Sequence, residues 1–194
     1  MMRKIGLFFG SFNPIHIGHL IIANHLVEHS DMDELWLVVT PQNPFKEKKS
    51  LLDNYHRLEM VHRAVEAYPK IRPSDIEFRL PQPNYTINTL MYLEEKFPNY
   101  TFSLIMGEDN LKSFYKWKNY EQILANYHLY IYPRISEGNL PDIFVNHPNV
   151  KFIQAPIIEL SATFIRQEIK EKRNVKPLLP EKVWQYIDQM GHYL

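Results

Sequence analysis

The opening of this chain constrains its fold more than any other part. Ile5, Leu7, Phe8 and Phe9 form a short apolar run closed by Gly10-Ser11, and residues 35–39 form another closed by Pro41. Both read as buried strands. Between them, residues 19–29 place Leu20, Ile21, Ile22, Ala23, Leu26 and Val27 at helical spacing. A strand, a helix and a strand in that order demand parallel pairing, because parallel neighbours need a crossover connection rather than a tight turn.

The alternation continues to the end. Helices are expected over residues 54–67 and 86–96, with an extended piece at 76–78 between them, and a strand over 101–106. Segments 111–117 and 120–124 follow, then strands over 128–132 and 150–154 and helices over 162–172 and 181–190, separated by Asn, Pro or Gly. This predicts an α/β fold: a single doubly wound, Rossmann-like domain over residues 1–194, with five or six mostly parallel strands and helices on both faces. There is no internal repeat, low-complexity tract or long linker.

Charge narrows the function. Lys plus Arg (22) equals Asp plus Glu (22), which removes the basic bias of proteins that bind nucleic acid through phosphate charge. Any anion must be held locally. The absence of cysteine excludes disulfides, thiolate zinc sites and cysteine nucleophiles and is compatible with a reducing compartment, the cytoplasm being the simplest address. Gly10, Asn13 and Pro14 cut the first apolar run short of a signal segment. No stretch approaches the ~18 apolar residues of a membrane span, so no membrane partner is expected.

Chemistry concentrates in the first strand-to-helix turn, Gly10-Ser11-Phe12-Asn13-Pro14-Ile15-His16-Ile17-Gly18-His19. Gly10 and Gly18 allow close backbone approach or positive φ, as a turn wrapping a ligand needs. His16 and His19 stand at the mouth of a helix, whose free N–H groups and dipole attract phosphate. Imidazoles there can donate to phosphate oxygens and, if protonated, offset developing negative charge. A zinc reading lacks a third ligand at suitable spacing. His25 and His29 read as an exposed pair.

Leu160 to Arg166 opens another expected helix, so Ser161 and Thr163 place hydroxyls beside free amides in a second anion site, which the Arg166 guanidinium can reach. Gly107-Glu108-Asp109 follows the strand at 101–106, and Tyr85-Thr86 starts a helix with N-cap chemistry suited to a carboxylate. Residues 41–50, basic and loop-like, carry Lys46 at a strand's carboxyl end, where open α/β sheets bind ligands.

Residues 10–20 resemble the signature of the HxGH nucleotidylyltransferase superfamily. Within it the chain is most similar to bacterial nicotinate-nucleotide adenylyltransferases, through Asn43-Pro44-Phe45-Lys46, residues 84–90, Gly107-Glu108-Asp109, Trp117, residues 161–166 and the closing Leu179-Pro180 to Tyr186-Ile187. The chain departs at Phe9, where many relatives have glycine, at Asn13, where aspartate is common, and at Phe45, where many have histidine.

The resemblance implies attack by the 5′-phosphate of nicotinate mononucleotide on the α-phosphorus of ATP, giving deamido-NAD and pyrophosphate. Mg²⁺ would arrive with ATP, with no protein metal site. It implies His16, His19 and Arg166 as catalytic residues, and Gly10, Ser11, Phe12, His16, Gly18, His19, Gly107, Asp109, Ser161, Thr163 and Arg166 as the ATP site. Lys46, Tyr85, Thr86 and Trp117 would hold the acceptor, Trp117 stacking on its pyridine ring. Three alternatives stay open: nicotinamide mononucleotide or phosphopantetheine as acceptor on the same fold, and a non-catalytic nucleotide sensor. A homo-oligomer is compatible with the sequence and not specified by it.

Overall fold

The computed structural model describes residues 2–41, 51–135 and 138–194. Strands β1 (Arg3–Gly10), β2 (Glu34–Val39), β3 (Ile71–Ser74), β4 (Tyr100–Gly107), β5 (His128–Tyr132) and β6 (Val150–Phe152) form one sheet of order β3-β2-β1-β4-β5-β6. Every pairing is parallel. Helices α1 (Ile17–His29), α2 (Asn54–Val65), α3 (Thr86–Lys96), α4 (Glu108–Lys112), α5 (Tyr120–Asn126), α6 (Asp142–Val145), α7 (Ala162–Lys170) and α8 (Glu181–Met190) provide the connections and flanks. The doubly wound expectation holds, with six strands.

Side chains alternate across the sheet, as the pleat requires. Phe8, Leu35, Leu37, Val39, Ile105, Tyr130 and Tyr132 face a core shared with α1, α2, α7 and α8. Ile5, Leu7, Val38, Leu104, Met106, Leu129 and Ile131 face the opposite core, shared with α3, α4 and α5. Burial on both faces explains why the strands read as continuous apolar runs rather than alternating ones. Leu7 pairs in register with Trp36 on one side and Leu104 on the other, so β1 lies at the centre.

One element is placed differently. The extended piece expected at 76–78 is a 3₁₀ helix, Ile76–Arg79, and the strand lies upstream at Ile71–Ser74. Pro73 lacks an N–H and argues against a strand there. The sheet tolerates it because β3 is an edge strand. Ser74 Oγ then accepts the Ile76 N–H at 3.4 Å and the Asp75 carbonyl accepts that of Phe78 at 2.8 Å, turning the chain into the 3₁₀ helix. The segment at 111–117 divides into the end of α4 and a 3₁₀ helix, Phe114–Lys116. The short helix α6 carries no sequence signal.

The strand order reverses direction on either side of β1, between β1 and β4. At such a switch point the connections leave to opposite faces and open a crevice beyond the strands' carboxyl ends. Because the helices run back across the sheet, the N-termini of α1, α3 and α7 share that carboxyl edge.

Candidate active site

The turn after β1 arrives at the crevice with a strained backbone. Phe12, not either glycine, takes the left-handed conformation, with φ of 45°. Gly10 and Gly18 are required for close approach instead. A Cβ on Gly10 would stand 2.8 Å from the Phe12 ring, and one on Gly18 would stand 3.0 Å from Ile158 Cγ2 and 3.1 Å from His16 Nδ1.

His19 is held on all sides. Its ring stacks on His16 with centroids 3.7 Å apart and meets the edges of Phe12 at 5.1 Å and Phe8 at 6.1 Å. The His16 backbone N–H donates to His19 Nδ1 at 3.3 Å. That bond assigns the tautomer: a neutral ring accepting at Nδ1 carries its proton on Nε2, so His19 offers an Nε2–H donor. Burial, then the His16 ring and the Arg134 guanidinium, hold the His19 pKa well below the usual imidazole value. Burial and, less, Arg134 lower His16 to about 4. Both rings are therefore neutral at neutral pH, and in the ligand-free protein they act as dipolar donors rather than cations. The His16 side chain faces the His19 backbone N–H in a capping-box arrangement, with no bond of full geometry to its buried Nδ1 among the described residues.

The far end of the sequence folds onto this turn. Arg166, in α7, donates from Nη1 to the Asn13 carbonyl at 2.8 Å and from Nη2 to Thr163 Oγ1 at 3.4 Å. Ser161 caps α7, its Oγ accepting the Phe164 N–H at 3.1 Å, so its hydroxyl serves the helix. A cleft of about 330 Å³ lined by Asp109, Arg134, Ile158, Ser161 and Phe164 adjoins it. Arg134 Nε lies 3.9 Å from Asp109 Oδ1, and Arg134 Nη1 lies 3.5 Å from the Ile158 carbonyl. Gly107 leaves room for that pair: a Cβ there would crowd the Asp109 carboxylate and stand 2.9 Å from Arg134 Cγ.

A second group forms at α3. The N-cap of α3 is Tyr85, not Thr86, and among the described residues no side chain caps it; Thr86 is the first helical residue, and its amide and that of Ile87 have no partner within the helix. Lys118 places its ammonium 4.5 Å from the centre of the ring of Tyr85, the residue that precedes α3. Trp117, next to it, is half-buried with Phe114 against it at 5.3 Å. Buried Glu77 anchors the start of α3: its Oε1 accepts the Thr89 hydroxyl at 2.8 Å, and its main-chain carbonyl accepts Asn84 Nδ2 at 3.1 Å. Burial raises the Glu77 pKa against the opposing bonds from Thr89 and Thr40, and Thr40 follows the end of β2.

The sequence-based candidates thus fall into two groups at one sheet edge: Gly10, Ser11, Phe12, His16, Gly18, His19, Gly107, Asp109, Ser161, Thr163 and Arg166 about the β1 turn, and Tyr85, Thr86 and Trp117 about α3. Phe12 is buried, so only its main chain could reach a ligand. Lys46 lies outside the described residues. Arg134, Lys118, Arg57 and Tyr193 belong to the site by geometry and carry no motif signature. A signal existed only for Arg57, which interrupts the buried stripe of α2 formed with Met60, Val61, Ala64 and Val65. Among the described residues no group of three or more His, Asp or Glu is placed to hold a metal ion.

Comparison with known proteins accords with this arrangement. Residues 7–168 match the cytidylyltransferase-like family. A relative from Christiangramia forsetii, named as a probable nicotinate-nucleotide adenylyltransferase, is 64% identical over 193 residues, covering 100% of both chains. Relatives of the same name from Flavobacterium psychrophilum and Bacteroides thetaiotaomicron are 62% and 44% identical, covering 98% and 95% of this chain and 98% and 90% of their own. The fold matches the Plasmodium falciparum nicotinic acid mononucleotide adenylyltransferase complexed with NaAD, with a TM-score of 0.81 at 20% identity over 98% of this chain and 97% of that one. The convergence of β1 turn and α7 on one crevice and the identity across the whole length agree: the chain belongs to the nicotinate-nucleotide adenylyltransferase family of nucleotidyltransferases.

Proposed function

We propose that residues 1–194 act as one adenylyltransferase domain that transfers the adenylyl group of ATP to nicotinate mononucleotide, releasing pyrophosphate and forming deamido-NAD in NAD biosynthesis. The observation that supports this reading is the 2.8 Å bond from Arg166 to the Asn13 carbonyl, which ties α7 to the turn that opens α1, two helix N-termini of the kind that bind phosphate.

The acceptor phosphate is already an anionic nucleophile, so no protein nucleophile is needed. Catalysis reduces to alignment and to stabilising charge on the α-phosphoryl oxygens and the departing pyrophosphate. His19 Nε2–H donates to an α-phosphoryl oxygen, its direction set by the bond at Nδ1. His16, the α7 amides and Arg166 hold the remaining phosphates, and Arg134 adds positive charge toward the same point. Mg²⁺ would accompany ATP as part of the substrate and would offset phosphate charge there. Asp109 contacts the adenosine part of the nucleotide.

The acceptor's carboxylate lies on the free amides of α3 beside the Lys118 ammonium, and its ring on Trp117. A carboxamide would gain less from that cation, which favours the acid over nicotinamide mononucleotide. Among the described residues no helix is long and apolar enough to cross a membrane, and the cytoplasm is the compartment this reading assigns to the enzyme.

The test is to incubate the protein with ATP, magnesium and each candidate acceptor separately, quantifying pyrophosphate and dinucleotide. Efficient reaction with nicotinate mononucleotide is expected. Reaction only with the amide or with phosphopantetheine would refute the acceptor assignment, and none at all would favour a sensor. In the active enzyme, His19→Ala should lower kcat more than ~100-fold, the scale of one lost oxyanion donor; an unchanged kcat would remove His19 from the chemistry.

A further inference from the structure

The Ser11-Phe12-Asn13 segment sets where the histidines and Arg166 meet, yet its conformation is not locally favoured. With φ at 45°, Phe12 lies in the left-handed region, where the Cβ of an L-residue crowds its own backbone. Such a residue persists only where its surroundings over-determine it. Two residues outside every motif do this.

On one side stands Arg57, wholly buried in α2. Its Nη1 donates to the Ser11 carbonyl at 2.5 Å and the Thr40 carbonyl at 3.0 Å, its Nε to the Leu52 carbonyl at 2.9 Å, and its Nη2 to Asn54 Oδ1 at 2.6 Å. These acceptors come from three segments that meet beyond β1 and β2, and all are neutral. Burial lowers the Arg57 pKa to about 10. Its bonded acceptors are neutral and the Asp53 carboxylate acts on it only through space; a buried guanidinium with no bonded counter-charge is a poor source of stability, and here it bridges all three segments.

On the other side stands Tyr193. Its hydroxyl donates to Asn13 Oδ1 at 2.8 Å, an atom that also accepts the Leu52 N–H at 3.3 Å. The carbonyl of the same Asn13 is the one Arg166 holds. Phe12 thus sits between two anchored neighbours while its ring braces His19.

The geometry points to Arg57 and Tyr193 as positioning residues for adenylyl transfer: they clamp the left-handed Phe12 turn from its two sides and so fix His19 and Arg166 against the triphosphate. The inference rests on the proposed function. It requires that loosening the clamp changes kcat and the KM for ATP, and that Tyr193→Phe, which has no bond toward α3, leaves the KM for nicotinate mononucleotide unchanged; Arg57, bonded to the Thr40 that also meets Glu77 below α3, is judged by kcat and ATP alone.

The experiment uses Tyr193→Phe, which removes one hydroxyl and keeps the ring, and Arg57→Lys, which keeps a cation and loses the fork. Both are assayed well below their melting temperatures. Tyr193→Phe should lower kcat about tenfold and raise the KM for ATP, the scale of one lost hydrogen bond, while Arg57→Lys should lower kcat about 100-fold, as misplaced catalytic groups do. A lower melting temperature with wild-type kcat and KM values in the folded enzyme would overturn the inference.

A second readout does not depend on turnover. The affinity of Tyr193→Phe for a non-hydrolysable ATP analogue, measured by titration calorimetry, should fall about tenfold, and an unchanged affinity would likewise overturn the clamp. If the wild type binds the analogue but transfers nothing to any acceptor, the proposed function fails and the binding comparison still decides the clamp. If Arg57→Lys does not fold, Tyr193→Phe decides alone.

Discussion

Gly18→Ala separates the geometry of the site from the stability of the fold. Gly18 lies in the first turn of α1, where exchange of glycine for alanine would by propensity stabilise the helix by up to about 1 kcal/mol. Against this, the new Cβ would stand 3.0 Å from Ile158 Cγ2 and 3.1 and 3.2 Å from His16 Nδ1 and Cε1, a few tenths of an ångström inside ordinary contact. Overpacking of that kind costs about 1–3 kcal/mol. The gain offsets only part of this, leaving a destabilisation of at most about 3 kcal/mol, or a melting shift of at most about 12 °C for a chain of this size.

Activity has no such offset. Both neighbours that must yield belong to the site: His16 carries His19 stacked on it at 3.7 Å, and Ile158 precedes the cap of α7. Misplacing aligned groups by up to an ångström costs as much as ~100-fold, so a shift of a few tenths should lower kcat by about 10- to 100-fold. Calorimetry and pyrophosphate release at saturating substrate measure the two quantities on one preparation. Wild-type kcat with an intact fold would refute the close packing of His16, Gly18 and Ile158 as a requirement for catalysis.

Other predictions concern charge. His16 is neutral in the fold, with a pKa lowered from 6.5 to about 4, so the unfolded chain binds the extra proton between those values. Stability should be complete above pH 6.5 and fall as pH drops toward about 4; His16→Gln should make this part of the melting-temperature profile shallower, His19 keeping its own share, and an identical profile would contradict the neutral assignment. Lys118→Gln should raise the KM for nicotinate mononucleotide by about tenfold, the scale of one lost charge-assisted contact, and change that for the amide much less. Equal changes for both acceptors would remove Lys118 from the discrimination.

The fold was legible because parallel strands buried on both faces leave unmistakable apolar runs, and because Gly, Asn and Pro mark their ends. β3 was not, since Pro73 contradicts strand chemistry everywhere except at an edge, and edge position is a property of the assembled sheet. The histidine turn and the LSATFIR segment were readable because each combines a helix start with anion-binding side chains. What the sequence hides is pairing across distance. Arg134 follows a strand without a motif, Lys118 reads as one of many surface lysines, and Tyr193 becomes informative only when its hydroxyl is found on Asn13, 180 residues away. Of the two uses open to Gly10 and Gly18 the structure takes close approach, and the left-handed backbone falls on Phe12, where nothing in the sequence marks it.

The central claim is that the mouths of α1 and α7 grip a single nucleotide whose α-phosphate faces His19. A crystal structure with a non-hydrolysable ATP analogue and magnesium tests it directly. The account predicts an α-phosphoryl oxygen within hydrogen-bonding distance of His19 Nε2 and terminal phosphates on Arg166 and the first amides of α7. A triphosphate bound away from either helix, or His19 facing the adenine instead, would contradict it.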